Sequence, residues 1–114
     1  MRSIVEILGV KVDKVGMAEA VEVFKKLMEA DGLSRIVTPN PEIILSAQND
    51  ERIKDVLNSA DLAIPDGVSI LKAAKKLGQP IKERVTGVDF TFEALKYLAE
   101  CGKSAYFLGA KPGI

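Results

Sequence analysis

The sequence predicts an α/β protein with a mostly parallel sheet of about four strands and helices on both of its faces. Two features of the sequence lead to this prediction, its short apolar runs and its stretches of helical periodicity. Short apolar runs, too short for helices, alternate along the chain with stretches in which apolar residues recur at helical spacing. Repeated strand–helix units of this kind build parallel sheets. Because 114 residues is the length of one domain, residues 1–114 are expected to form a single α/β domain.

The composition is that of an ordinary globular domain. Apolar residues make up 47% and charged residues 28% of the chain. Sixteen basic residues balance sixteen acidic ones, so there is no electrostatic case for nucleic acid or an anionic membrane as the main partner. The absence of histidine from the sequence excludes a histidine-based catalytic pair and most zinc sites within this chain.

The single cysteine, Cys101, cannot form an internal disulfide, which favours a reducing cytoplasm. No candidate base lies near it in sequence, so a structural thiol is favoured over a nucleophile. No apolar run approaches the roughly 18 residues that span a bilayer, and the N-terminus lacks the apolar core of a signal peptide. The sequence therefore predicts a cytoplasmic protein.

The first third of the chain predicts two strands around one helix. Residues 3–10, rich in β-branched and aliphatic side chains, predict a first strand, and residues 11–16 a connection to the helix. Apolar residues at intervals of three and four predict an amphipathic helix over residues 17–30. A β-branched run predicts a second strand at residues 34–38, which must end at the prolines that follow.

Two helices are predicted next. Pro41 suits the first turn of a helix, with Asn40 as its N-terminal cap. A further helix is predicted from about residue 50 to residue 59. The side chains expected to face inward are Ile43, Ile44, Ala47, Ile53, Val56 and Leu57, with Leu45 as a weaker candidate.

The remaining predicted elements follow the same alternation. They are a buried strand at 62–65, a helix at 68–77, a structured loop at 81–88, a helix from a capping Asp89 to Cys101, and a strand at 104–108. The chain ends where such a fold would begin its next helix. The prediction is therefore a Rossmann-like domain cut short at its C-terminus.

Candidate site residues follow the second and third predicted strands, where α/β proteins bind ligands. Asp66 could act as a general base, a metal ligand or a helix cap, and Gly67 frees the backbone for close approach to a ligand. Thr38 and Asn40 could hydrogen-bond to a sugar or a phosphate. They are equally common as turn and cap residues.

Arg84 offers a planar guanidinium suited to a phosphate group. Glu83 beside it and Asp89 nearby offer a structural ion pair instead.

The glycine-containing segment after the last predicted strand occupies the place of a phosphate-binding loop. Gly109, Ala110 and Gly113 are its candidate donor-phosphate contacts. The pattern is weak, because neither the dinucleotide-binding nor the P-loop glycine pattern is present.

Five short motifs in order give the chain a specific resemblance. The segments LGVKVD, TPNPE, ADLAIPDG, ERVTGVDF and FLGAKPG together resemble the N-terminal part of the WecG/TagA/CpsF family of bacterial glycosyltransferases. The resemblance covers residues 7–113. It implies inverting transfer of an N-acetylmannosamine-type sugar from UDP to the 4-hydroxyl of N-acetylglucosamine on undecaprenyl diphosphate. The products of such enzymes feed wall teichoic acid, enterobacterial common antigen or capsule synthesis.

The resemblance also implies roles for individual residues. Asp66 matches the family aspartate proposed as the base, Thr38 and Asn40 match a pair that lines the pocket, and Arg84 matches an arginine suited to a diphosphate. One carboxylate suffices as the base of a single in-line displacement, and positive charge or N–H donors would stabilise the leaving UDP. The family lacks an Asp-x-Asp metal motif and so does this sequence, so neither a metal nor another cofactor is expected.

Members of that family are substantially longer than this chain. The additional part implies further strands, other donor-site residues and a C-terminal appendage that reaches the membrane, so the full-length form is expected to be peripheral at its inner face. Two alternatives remain at this stage. The chain could be an inactive remnant or self-associating binding module of the same fold, or a nucleotide-binding protein of another chemistry in which Asp66 is only a cap.

Overall fold

The computed structural model describes residues 2–113, in which five helices and four short strands are found. The elements are β1 (Ile4–Ile7), β2 (Val10–Asp13), α1 (Met17–Glu29), β3 (Ile36–Val37), α2 (Pro41–Gln48), α3 (Glu51–Asn58), β4 (Leu62–Ala63), α4 (Val68–Lys76) and α5 (Gly87–Glu100).

The N-terminal segment forms an antiparallel hairpin, not the single strand predicted for residues 3–10. Strands β1 and β2 pair from Ile4 opposite Asp13 to Ile7 opposite Val10. Leu8 and Gly9 form the two-residue turn, and both have positive φ angles, 51° and 80°. Turns of this kind match the twist of the strands that they connect. A two-residue connection can join only antiparallel strands, so β1 and β2 cannot pair with each other in parallel.

Strands β3 and β4 form a parallel pair, with Ile36 opposite Leu62 and Val37 opposite Ala63. The backbone N–H of Ile64 extends the pairing by donating to Val37 O at 2.8 Å. The α/β class is therefore confirmed. The predicted four-stranded parallel sheet is not what residues 2–113 form, because they contain one antiparallel and one parallel pair.

The strand predicted at residues 104–108 is absent from the described part of the chain. Tyr106, Phe107 and Leu108 are instead 86%, 73% and 90% exposed. A β-forming sequence becomes a strand only when a neighbouring backbone pairs with it. No strand within residues 2–113 pairs with this segment.

The predicted helices are all present, the predicted Asn40 cap is confirmed, and Asp50 is a cap that was not predicted. Asn40 Oδ1 accepts a hydrogen bond from Ile43 N at 2.9 Å at the start of α2, and Asp50 Oδ1 accepts from Arg52 N at 2.9 Å at the start of α3. The cap predicted for α5 is wrong. Thr86 Oγ1 accepts from Asp89 N at 3.1 Å, so α5 begins three residues earlier than predicted and Asp89 lies within its first turn.

The core consists of two apolar clusters on opposite sides of the parallel pair. One joins the hairpin to α2, α3 and α4, and the other joins α1 and α5 to β4. Val37 packs against the first cluster and Ile36 against the second, so successive residues of β3 face different helix layers. Of the side chains predicted to face inward, Ile44, Ala47 and Leu57 are buried, whereas Leu45, Ile53 and Val56 are exposed.

Aromatic rings fix α5 against α1. Phe24 meets Phe90 and Tyr97 edge to face, with ring centroids 5.8 Å and 5.9 Å apart. None of the helices in residues 2–113 has both the length and the apolar character needed to cross a membrane.

Candidate active site

The candidate site lies where the parallel pair ends and α5 begins. Thr38 directly follows β3, and Asp66 follows β4 after a buried Ile64 and Pro65. A Cβ atom placed on Gly87 would lie 3.3 Å from Thr38 Cγ2 and 3.6 Å from Asp66 Oδ2. The structure therefore brings two of the predicted site residues together around the first residue of α5.

Gly87 is a site position that the sequence analysis missed. A glycine at the start of a helix is a poor helix former, which can indicate that another group approaches the backbone closely. Here that group is the Thr38 methyl, with the Asp66 carboxylate just beyond.

A cleft of about 580 Å³ opens over these three residues. This volume lies within the range of small-molecule sites, about 300–1,000 Å³. Its polar part comprises Thr38, Asp66 and Thr91, whose hydroxyl donates to Gly87 O at 2.7 Å. Its apolar wall is formed by Val88, Phe92, Leu95 and Phe107.

Another cavity, of about 340 Å³, lies along α3 and is lined by Asp50, Arg52, Ile53, Val56 and Leu57. Its two charged residues are already engaged, because Asp50 caps α3 and Arg52 Nε lies 3.5 Å from Asp50 Oδ1. The cleft at Asp66 is therefore the better candidate for chemistry.

The Asp66 carboxylate is half-buried, and within residues 2–113 no hydrogen bond or ion pair engages it. It does not cap α4, because the N-terminal cap of that helix is Gly67 and no side chain bonds to the first turn. The cap role that the sequence left open is thus not the one observed. The described residues also contain no group of three His, Cys, Asp or Glu side chains arranged to hold a metal ion.

Gly67 has φ of 111° and ψ of 150°, a conformation that is essentially restricted to glycine. This conformation turns the chain from β4 into α4 immediately after Asp66. The predicted need for glycine here is therefore explained by the backbone itself.

Asn40 lies near the start of α2 and does not line the cleft. Because its Oδ1 accepts from Ile43 N, its amide oxygen is held towards the helix and its Nδ2 is left with two N–H donors. While it caps the helix, Asn40 can therefore still donate to a ligand through Nδ2.

Arg84 is exposed and lies outside the cleft. Within the described residues it pairs with neither Glu83 nor Asp89, so the structural ion pair considered from the sequence is not formed. Glu83 instead accepts a hydrogen bond from Met17 N at the start of α1. Gly16 makes room for it, because a Cβ there would lie 2.7 Å from Glu83 Oε1.

The glycine-containing segment at the C-terminal end is not assembled into the cleft. Gly109, Ala110 and Gly113 are exposed, have positive φ angles and precede no helix within the described residues. Among the described residues after α5, Phe107 alone lines the cleft. The predicted role in binding donor phosphates stays a prediction.

Comparison with known proteins gives the chain a family. Residues 5–114 match the model of the glycosyl transferase WecG/TagA/CpsF family. The chain belongs to this family. The resemblance inferred from the five motifs is thereby confirmed.

The WecG/TagA/CpsF relatives include proteins from three Staphylococcus aureus strains, NCTC 8325 / PS 47, COL and MSSA476. Each is named N-acetylglucosaminyldiphosphoundecaprenol N-acetyl-beta-D-mannosaminyltransferase and is 32% identical to this chain over 108 residues. The match covers 93% of this chain and 42% of each relative. The chain therefore spans less than half the length of these relatives.

Proposed function

We propose that this chain carries the acceptor-activating part of an inverting glycosyltransferase. The reaction moves an N-acetylmannosamine-type sugar from a UDP-sugar to the 4-hydroxyl of N-acetylglucosamine on undecaprenyl diphosphate. Membership of the family and the names of the Staphylococcus aureus proteins support this assignment. The product would serve cell-surface polysaccharide or teichoic acid synthesis.

The proposal rests on Asp66, whose carboxylate has no hydrogen-bond or ion-pair partner among the described residues. Its carboxylate lies in a cleft of ligand size, beside Thr38 and Gly87, and no residue between 2 and 113 bonds to it. A carboxylate with unoccupied oxygens can accept a proton from a bound hydroxyl group.

The proposed step is a single displacement. As the acceptor 4-oxygen attacks the anomeric carbon, Asp66 takes the proton of that hydroxyl. The bond from the anomeric carbon to the UDP oxygen breaks on the opposite face, and UDP leaves with the electron pair. One displacement inverts the anomeric centre and requires no covalent intermediate with the enzyme.

Thr38 in the cleft, and Asn40 and Arg84 outside it, suit the remaining tasks. Thr38 and the Nδ2 of Asn40 can hydrogen-bond to sugar hydroxyl or phosphate oxygens. Arg84, which has no ion-pair partner among the described residues, can hold the diphosphate that develops negative charge. Because the acceptor is lipid-linked, the proposal places the protein at the inner face of the cell membrane, in peripheral contact with it.

The proposal is tested by Asp66→Asn in a transfer assay with UDP-N-acetylmannosamine and a short-chain polyprenyl-diphosphate N-acetylglucosamine. Loss of a general base predicts a rate reduction of roughly 10²–10⁴-fold with donor binding retained. Asp55→Asn is the matched control, because Asp55 is an exposed carboxylate on α3. Asp66→Asn transferring sugar as fast as Asp55→Asn would end the proposal.

A second candidate function is a catalytically inactive binding module that self-associates. The observation that favours it is the exposure of five large apolar side chains, Val88, Phe92, Tyr106, Phe107 and Leu108, of which Val88, Phe92 and Phe107 line the cleft. Sedimentation velocity over a wide range of concentration tests this candidate. Self-association that Phe92→Ser abolishes would support it, and a monomer at every concentration would reject it.

A further inference from the structure

We propose that Asp13 is a positioning residue for Asp66, and this inference rests on the base role proposed for Asp66. Asp13 is a buried carboxylate, 3% exposed, at the end of β2 and outside the cleft. In the sequence it is the last residue of the LGVKVD motif.

Asp13 holds the free edge of β4. Successive N–H groups of an extended chain point to opposite edges, and the N–H of Ile64, just after β4, donates to Val37 O of β3 at 2.8 Å. The N–H of Ala63 points the other way and donates to Asp13 Oδ2 at 2.7 Å. A carboxylate oxygen thus occupies the place that a strand carbonyl would take, and β4 is held from both sides.

The carboxylate is fully committed to this task. Arg2 donates two hydrogen bonds to it, from Nε to Oδ1 at 3.0 Å and from Nη2 to Oδ2 at 2.7 Å. The third donor, Arg2 Nη1, bonds to Ala60 O at 2.9 Å, just before β4. The hydrogen bond to Asp13 raises the pKa of the Arg2 guanidinium, so Arg2 stays charged. Asp13 is therefore an anchor and not a second base.

Ala63, the residue that Asp13 holds, lies three residues before Asp66, and the segment between Ala63 and Asp66 is stiff. Ile64 is fully buried, and Pro65, also buried, has a φ angle fixed by its ring. Gly67 then takes the glycine-only conformation that turns the chain into α4. A shift of Ala63 is therefore passed to Asp66 and is not absorbed between them, and a misplacement of about 1 Å can cost a reaction about 10²-fold in rate.

The first test is spectroscopic and does not depend on activity. Asp13→Ala is expected to move the ¹⁵N–¹H signals of Asp66 and Gly67. Ile7→Ala, a matched control that removes buried side chain from β1, is expected to leave them in place. The double variant Arg2→Met with Asp13→Asn keeps an acceptor for Ala63 N without an opposing guanidinium, and it is expected to restore the wild-type positions. Unchanged Asp66 and Gly67 signals in Asp13→Ala would overturn the inference.

The second test is kinetic. Asp13→Ala is expected to lower kcat by roughly 10²-fold with KM nearly unchanged, and the double variant is expected to recover most of the loss. If Asp13→Ala and Ile7→Ala lower kcat equally, Asp13 contributes only stability and the inference fails. If Asp66→Asn keeps full activity, the proposed function fails instead, while the spectroscopic test still decides whether Asp13 holds the end of β4.

Discussion

Gly87 and Thr38 lie so close together that a Cβ atom on Gly87 would stand 3.3 Å from Thr38 Cγ2. The contact joins the first residue of α5 to the first residue after β3. Both residues line the cleft, together with Asp66. A side chain at position 87 would therefore enter the cleft beside Asp66.

Gly87→Ala is expected to impair ligand binding while preserving the fold. The new methyl group would lie 3.6 Å from Asp66 Oδ2, in space that a ligand hydroxyl must occupy. A gain in helix propensity of up to about 1 kcal/mol opposes the tight contact with Thr38, so the unfolding free energy changes little. Transfer rate and urea unfolding measure the two effects. Lys96→Ala, an exposed change on the same helix, serves as the control, and equal transfer rates for the two variants would contradict the prediction.

Two substitutions separate the capping role of Asn40 from its proposed role as a hydrogen-bond donor to the substrate. Asn40→Ala removes the cap of α2 and is expected to lower the unfolding free energy by about 1 kcal/mol. Asn40→Asp retains the capping oxygen and adds a favourable negative charge at the helix N-terminus, so stability is kept. It also replaces the Nδ2 donors with an acceptor, so sugar transfer should fall. Wild-type transfer by Asn40→Asp would show that the amide does not contact the substrate.

Substitution of Glu83 is expected to lower stability, whereas substitution of its neighbour Arg84 is expected to weaken ligand binding. Glu83→Ala removes the acceptor of the Met17 N–H and should cost about 1 kcal/mol of stability, as the loss of a helix cap does. Arg84→Ala should change stability by less than about 0.5 kcal/mol, because the side chain is exposed and unpaired among residues 2–113. Its effect should appear in UDP-sugar binding. A large loss of thermal stability in Arg84→Ala would reveal a structural role instead.

Gly67→Ala tests the backbone at the other side of Asp66. Alanine in this conformation is strained by about 1–3 kcal/mol, which should appear as a lower urea midpoint. Ser69→Ala, two residues later on exposed surface, should stay within about 0.5 kcal/mol of the wild type. Equal midpoints for the two variants would mean that the turn adapts to a side chain without cost.

Local patterns predicted the helices and the two strand exits well. Asn40 before Pro41 specifies a capped helix start through interactions within four residues, and the β-branched run before Pro39 could only end there. The same reasoning placed Thr38 and Asp66 at neighbouring strand ends, because parallel strands end on the same side. Their closeness to Gly87 confirms that placement.

The errors have a different origin, since they depend on partners distant in sequence. The hairpin forms because Val10 and Val12 of β2 are buried in the core and pair with β1. The local sequence does not distinguish this second strand from the connection to α1 that was predicted at residues 11–16. The role of Asp13 depends on Ala63, fifty residues away. The segment at residues 104–108 has strand composition, but within the described residues it has no pairing partner.

The most direct test of the account is an NMR titration of the ¹⁵N-labelled chain with a short-chain polyprenyl-diphosphate N-acetylglucosamine, followed by UDP. The central claim is that ligands bind where Thr38, Asp66 and Gly87 meet. The account predicts that the amide signals of these residues shift with the acceptor, while those lining the cavity along α3 stay in place. Shifts confined to the α3 cavity, or saturation without any shift at Asp66, would contradict it.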